Sequence, residues 1–141
     1  MIGKTFFSDC EKDMCSPLFE LAKQLNLMGQ IKWDNSSKYS TASDSITLRR
    51  LPPLQLAHDI AHELIHATGH PARLNRFTPT NFAQEEFTAD IGGALLIVAM
   101  GLAKRARIEY LPFYLKLDLL REQSSYHGYI AARYLLKREP D

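Results

Sequence analysis

The chain has 141 residues, 45% of them apolar and 23% charged, a balance that suits one soluble domain with a single core spanning residues 1–141. A net charge of +1 gives no overall pull toward nucleic acid or an anionic membrane. The N-terminal stretch has no apolar region of the kind a signal peptide needs, and the longest apolar run, Ile91 to Ala103, is too short to span a bilayer. Cys10 and Cys15 cannot make a disulfide framework and are expected to be reduced thiols in a cytoplasmic protein.

Taken in chain order, Ser16-Pro17 reads as N-cap and first residue of a helix over Ser16 to Leu27, with Leu18, Leu21, Ala22 and Leu25 at helical spacing. Asn26 and Gly29 end it. Three short segments of strand character follow: Gln30 to Trp33, Lys38 to Thr41, and Ser45 to Leu48, the first two separated by the turn Asp34-Asn35-Ser36-Ser37. Pro52-Pro53 opens a helix over Leu54 to Thr68, and Gly69 stands where a C-terminal cap belongs. Thr80 or Asn81 can cap a third helix, which carries the apolar run. Pro112 starts a fourth, and Tyr126 to Leu136 forms a fifth. Helices dominate and the sheet is small and early, so the fold class is α+β. The basic clusters Arg49-Arg50, Lys104-Arg105-Arg107 and Arg133 with Lys137-Arg138 read as solvated surface.

The second helix contains H-E-x-x-H as His62-Glu63-Leu64-Ile65-His66. Four residues is about one helical turn, so the two imidazoles project from one face and can grip one ion. Neutral imidazole is a good zinc ligand, and Glu63 stands beside it as the acid/base that would take a proton from water. A catalytic zinc takes three protein ligands and keeps one open position. Glu86, on the third helix, is the expected third ligand. Asp90 is one turn further on the same face, the expected outer hydrogen-bond acceptor for His62. Glu85 competes with Glu86, because adjacent helical residues differ by about 100° and only one can face the metal squarely. His58 reads as a packing or surface residue. His70 reads as a cap after the helix. His127 is a packing residue or, in the alternative, a stabiliser of an oxyanion.

The run His62 to Arg76, HELIHATGHPARLNR, resembles the metallopeptidase domain of the ArdC-type antirestriction proteins, with its T-G-H (Thr68, Gly69, His70) and R-L-x-R (Arg73, Leu74, Arg76). Ala83 to Leu96 and the strand around Asp44, Ile46 and Leu48 resemble the same family, so the likeness covers about Tyr39 to Ala103. Asp90 stands where that family usually has Glu. Glu86-x-x-Ala89-Asp90 also resembles the ImmA/IrrE-type peptidases. The resemblance implies a minimal zincin-like fold, a zinc cofactor, and a zinc metallopeptidase acting on an intracellular protein in extended conformation. An edge strand, Ser45 to Leu48, would run over the metal and pair with that substrate. The family's single-stranded-DNA-binding domain lies outside the matched stretch, so DNA binding is not carried over. The alternative is a zinc-stabilised binding protein that inhibits a restriction or defence factor without cutting it.

Overall fold

The structure is a computed structural model that describes residues 9–27, 31–77, 82–101 and 118–136. Its elements are α1 (Asp9–Gln24), β1 (Ile31–Trp33), β2 (Lys38–Ser40), β3 (Ser45–Leu48), α2 (Pro53–Thr68), α3 (Phe82–Ala99) and α4 (Asp118–Leu136). The class is α+β, as the sequence indicated. The start of the helix expected from Pro112, the caps at Thr80 and Asn81, and Cys10's side chain lie outside what is described.

α1 starts well before Ser16, and Pro17 sits inside it. Proline removes one intrahelical hydrogen bond. The helix passes through because Cys15 and Leu18 are fully buried on either side of it, and the Cys15 thiol donates to the Pro53 carbonyl at 3.8 Å. The C-terminal end stops short of Leu27. Asn26 takes a left-handed φ of 64°, its N–H bonds the Lys23 carbonyl at 2.9 Å, and the Leu27 N–H bonds the Ala22 carbonyl at 2.8 Å. This is a Schellman cap with Asn in the left-handed position and a buried Leu just beyond it.

The sheet has the order β1-β3-β2. β1 runs parallel to β3, with Ile31 opposite Ile46 and Trp33 opposite Leu48. β2 runs antiparallel to β3, with Lys38 opposite Thr47 and Ser40 opposite Ser45. Ser45–Leu48 is therefore the central strand and not the edge strand expected from the sequence. Its alternation puts Ile46 and Leu48 into the core. A strand buried on one face and paired on both sides is the natural centre of three. Among the described residues β2 is an edge of the sheet.

α2 begins with Pro53 in the first turn, where a missing N–H costs nothing, and runs to Thr68. It is the middle of the molecule: α1 and the sheet pack on one side, α3 on the other. Leu56, Ile60, Leu64 and Ile65 are fully buried, each contributing about 1.5–3 kcal/mol by leaving water. α3 is apolar on nearly all sides in its second half, with Ile91, Ala94, Leu96 and Ile97 buried between α2 and α4. It ends at Ala99, before the end of the apolar run, and Gly101 follows with φ +71°. A Cβ on Gly93 would stand 3.2 Å from the His62 backbone nitrogen, so glycine there lets α3 lie close against the metal-motif turn of α2. α4 is already helical at Asp118, the first described residue of this stretch, and runs unbroken to Leu136, so no break precedes the Tyr126 start read from the sequence.

Candidate metal centre

His62, Glu63 and His66 come from consecutive turns of α2, and Glu85, Glu86 and Asp90 from the first turns of α3. The close α2–α3 packing brings them together. His62 Nε2 and His66 Nε2 lie 3.1 Å apart. Glu86 reaches both, with Oε1 at 3.3 Å from His62 Nε2 and Oε2 at 3.0 Å from His66 Nε2. Three donors bound to one zinc at roughly 2.0–2.1 Å in tetrahedral geometry stand roughly 3.3–3.4 Å from one another. The two Nε2 atoms, and each of them with its own Glu86 oxygen, come near that spacing. Asp90 Oδ1 accepts from His62 Nδ1 at 2.7 Å. Glu85 does not share Glu86's position: its Oε1 lies 3.4 Å from the other ring nitrogen of His66, Nδ1, and it pairs with Arg76.

Glu63 is 5% exposed, and its Oε1 has no hydrogen-bond partner. His62, Glu63 and His66 offer ligand atoms within 4.8 Å of one another. An orphaned carboxylate oxygen beside two imidazoles fits a bound divalent cation with a water on it. The donor set therefore suits such an ion. Electrostatics agree. Burial raises the Glu63 carboxyl, against the pull of the two histidines. Burial pulls His62 down, but Asp90 and Glu86 outweigh it and carry the ring up to about 10. Hydrogen bonds from His62 and His66 hold Glu86 far below the usual carboxylate range.

A cleft crosses this cluster. One half, of about 480 Å³, is walled by Ser37, Arg49, His58 and Asp59, with Ala89 and Gly93 also lining it. The other half, of about 360 Å³, is walled by Lys38, Tyr39, Thr41 and Phe82. Ser37, His62, Glu63 and Glu86 border both halves. Edge strand β2 thus runs along the cleft. Phe82, 80% exposed, stands at its rim.

Several residues of the cleft were invisible in the sequence. The Ser37 hydroxyl donates to Asp59 at 2.6 Å, and Arg49 Nε donates to the same oxygen at 3.2 Å. Arg49 and Arg50 are both exposed, as expected of solvated surface, with Arg49 turned to the cleft and Arg50 stacked on Trp33 at 3.8 Å. His58 lines the cleft wall in addition to being half-buried. His127 packs edge-on against Tyr126 and is lowered by burial and by Arg76. His70 does act in the turn after α2, where its Nδ1 accepts from the Ala72 N–H at 2.9 Å. Gly69 takes φ −79°, so its role is not the left-handed one usual for a cap. A Cβ there would collide with the Phe77 ring and lie 2.9 Å from Arg76 Nη2.

A small sheet over a motif-bearing helix, with a second helix supplying carboxylates, defines a metal-binding protein on the zincin plan. The chain belongs to the family of zincin-like metallopeptidases named MPTase-PolyVal, whose model matches residues 21–127, more than half its length. Two similar solved structures are of the antirestriction protein ArdC from plasmid R388. The metal-free form gives a TM-score of 0.63 at 22% identity, covering 88% of this chain and 52% of ArdC. The Mn(II)-bound form gives 0.64 at 24% identity, covering 95% and 56%. The fold is shared, and the chain spans about half the length of ArdC. No curated protein is significantly similar in sequence. Among the described residues no helix is long and apolar enough to cross a membrane.

Proposed function

We propose that the chain is a zinc metallopeptidase in which His62, His66 and Glu86 hold the ion, Asp90 orients His62, and Glu63 is the general acid and base. The observation that supports this best is the closure of three donors, two Nε2 atoms and a carboxylate, to 3.0–3.3 Å beside the buried, partnerless oxygen of Glu63. When bound, the ion supplies positive charge that acidifies water and polarises a carbonyl oxygen. Glu63 takes a proton from the attacking water as its oxygen bonds the carbonyl carbon. The same carboxyl then gives that proton to the amine nitrogen as the C–N bond breaks. β2 offers an extended peptide a strand edge beside these residues, with side chains falling into the two halves of the cleft. The substrate class is therefore an extended segment of a protein.

The test is elemental analysis with Glu63→Gln and Glu86→Ala. Glu63→Gln keeps the metal and loses cleavage of unfolded polypeptide. Glu86→Ala loses the metal. Unchanged metal content in Glu86→Ala refutes Glu86 as ligand. Two histidines and a carboxylate suit zinc, and the Mn(II)-bound ArdC structure makes manganese the competitor that the same analysis decides. ArdC's description as an antirestriction protein favours a second reading, a metal-stabilised protein that blocks a restriction or defence factor by binding. Under it, Glu63→Gln keeps full protection of incoming DNA, whereas under the first reading protection is lost. An intracellular setting accords with Cys15 kept as a buried thiol.

A further inference from the structure

The metal-centre reading gives His62 an outer carboxylate, Asp90, but leaves three neighbouring residues without work: Glu85, Arg76 and Thr68. They form one buried network. Arg76 is 4% exposed and Glu85 8%. Arg76 Nε donates to Glu85 Oε2 at 2.9 Å and Nη2 donates to Oε1 at 2.5 Å, a two-pronged pair. The same guanidinium donates from Nη1 to Thr68 Oγ1 at 3.0 Å and from Nη2 to the Ile65 carbonyl at 2.9 Å. It therefore fastens the last turn of α2 to the first turn of α3. Glu85 Oε1 then lies 3.4 Å from His66 Nδ1, the nitrogen that faces away from Glu86.

We propose that Glu85, held in place by Arg76, is the positioning residue that orients His66 for metal binding, as Asp90 is placed to do for His62. The inference rests on the metal-centre reading above. His66 Nδ1–H donates to Glu85, so Nε2 carries the free lone pair and points at the ion. Glu85 cannot drift, because both its oxygens are engaged by Arg76. The guanidinium cannot drift either, because α2 holds its other arms. Gly69 belongs to the same device: any side chain there would occupy the space of Arg76 and Phe77. The segment after the metal helix is thus a strap that fixes one ligand.

A purely structural ion pair predicts something different. Replacing a buried pair by apolar residues of similar size is often neutral for stability. The double variant Arg76→Met/Glu85→Leu therefore separates the two roles. Expected are a melting temperature near wild type, Zn2+ and Mn2+ affinities roughly 10- to 100-fold weaker by chelator competition, and loss of the slowly exchanging His66 Nδ1–H signal in the NMR spectrum of the zinc-loaded protein. Affinity within twofold of wild type, or an unchanged His66 signal, overturns the proposal. If the double variant does not fold, Glu85→Gln decides. It keeps an oxygen acceptor but loses the charge, and the His66 Nδ1–H signal must then shift upfield with weaker metal binding. No change in either measurement overturns the proposal. Wild type that binds neither ion defeats the metal-centre reading itself, whereas equal binding by wild type and variants defeats only this inference. Neither outcome depends on peptide cleavage.

Discussion

Glu63→Gln is expected to make the metal-free protein more stable and, under the proposed mechanism, to cost the metal-loaded protein its peptide cleavage. Glu63 is almost fully buried and its Oε1 has no partner, and burial raises its carboxyl above the ordinary value. A buried polar atom left unsatisfied costs about 1–3 kcal/mol, more when it is charged. Glutamine keeps the shape and an unsatisfied oxygen but removes the charge, so about 1–2 kcal/mol should be recovered. For a chain of this size that is a rise of about 3–8 °C in melting temperature. The sign follows from linkage. A carboxyl whose folded-state pKa is raised contributes its stability fully below its unfolded value, and loses it as pH rises through the folded value. The advantage of Glu63→Gln should therefore be present at pH 7 and shrink toward pH 4. Adding a divalent cation should also narrow it, since the cation's charge offsets that of Glu63. Peptide cleavage should fall about 10²–10⁴-fold, the usual contribution of a general acid or base. Calorimetry of both proteins with chelator, from pH 4 to 8, is the assay. A melting temperature unchanged or lowered at pH 7 refutes the argument from burial.

Asp44→Asn tests the strap's other arm, where Arg73 makes two bonds of 2.9 Å to Asp44 and Tyr39 donates to it at 2.6 Å. Hydrogen bonds from Arg73 hold Asp44 below its ordinary value, so its stabilisation is present above about pH 4 and is lost as pH falls through the folded-state value. Asparagine tolerates the left-handed φ of 49°, so the loss should be about 1 kcal/mol after solvent screening, measured by urea unfolding, and should vanish in acid. Metal binding near pH 7 should release roughly one proton or more, because Asp90 and Glu86 carry His62 up to about 10 despite its burial. Calorimetric titrations in two buffers of different ionisation enthalpy would show it, and identical heats would count against it. Phe82→Ala should raise KM several-fold with little change in kcat, and should leave stability within about 0.5 kcal/mol, since the ring is 80% exposed at the rim of the cleft.

The sequence by itself determined the parts whose geometry is local. Helical spacing alone puts His62 and His66 on one face, and Pro53, Asn26 and Gly69 mark ends that a single turn can decide. Residue type marked Ser45–Leu48 as a strand, and the structure added that Ile46 and Leu48 point into the core. What lay beyond one turn needed the tertiary structure. Pro17 inside α1 looked like a helix start, because nothing local says that buried Cys15 and Leu18 hold the helix through it. Ser45–Leu48 looked like an edge, because pairing on both sides is a property of three strands together. Glu85 and Glu86 are neighbours of the same chemical type in the sequence. Helical spacing favoured Glu86, since Asp90 shares its face, but it took the packing of α3 on α2 to bring Glu86 to the two Nε2 atoms and Glu85 to Arg76 and His66 Nδ1. HELIH fixed the chemistry that is possible, and the distance between two helices decided which carboxylate stands where.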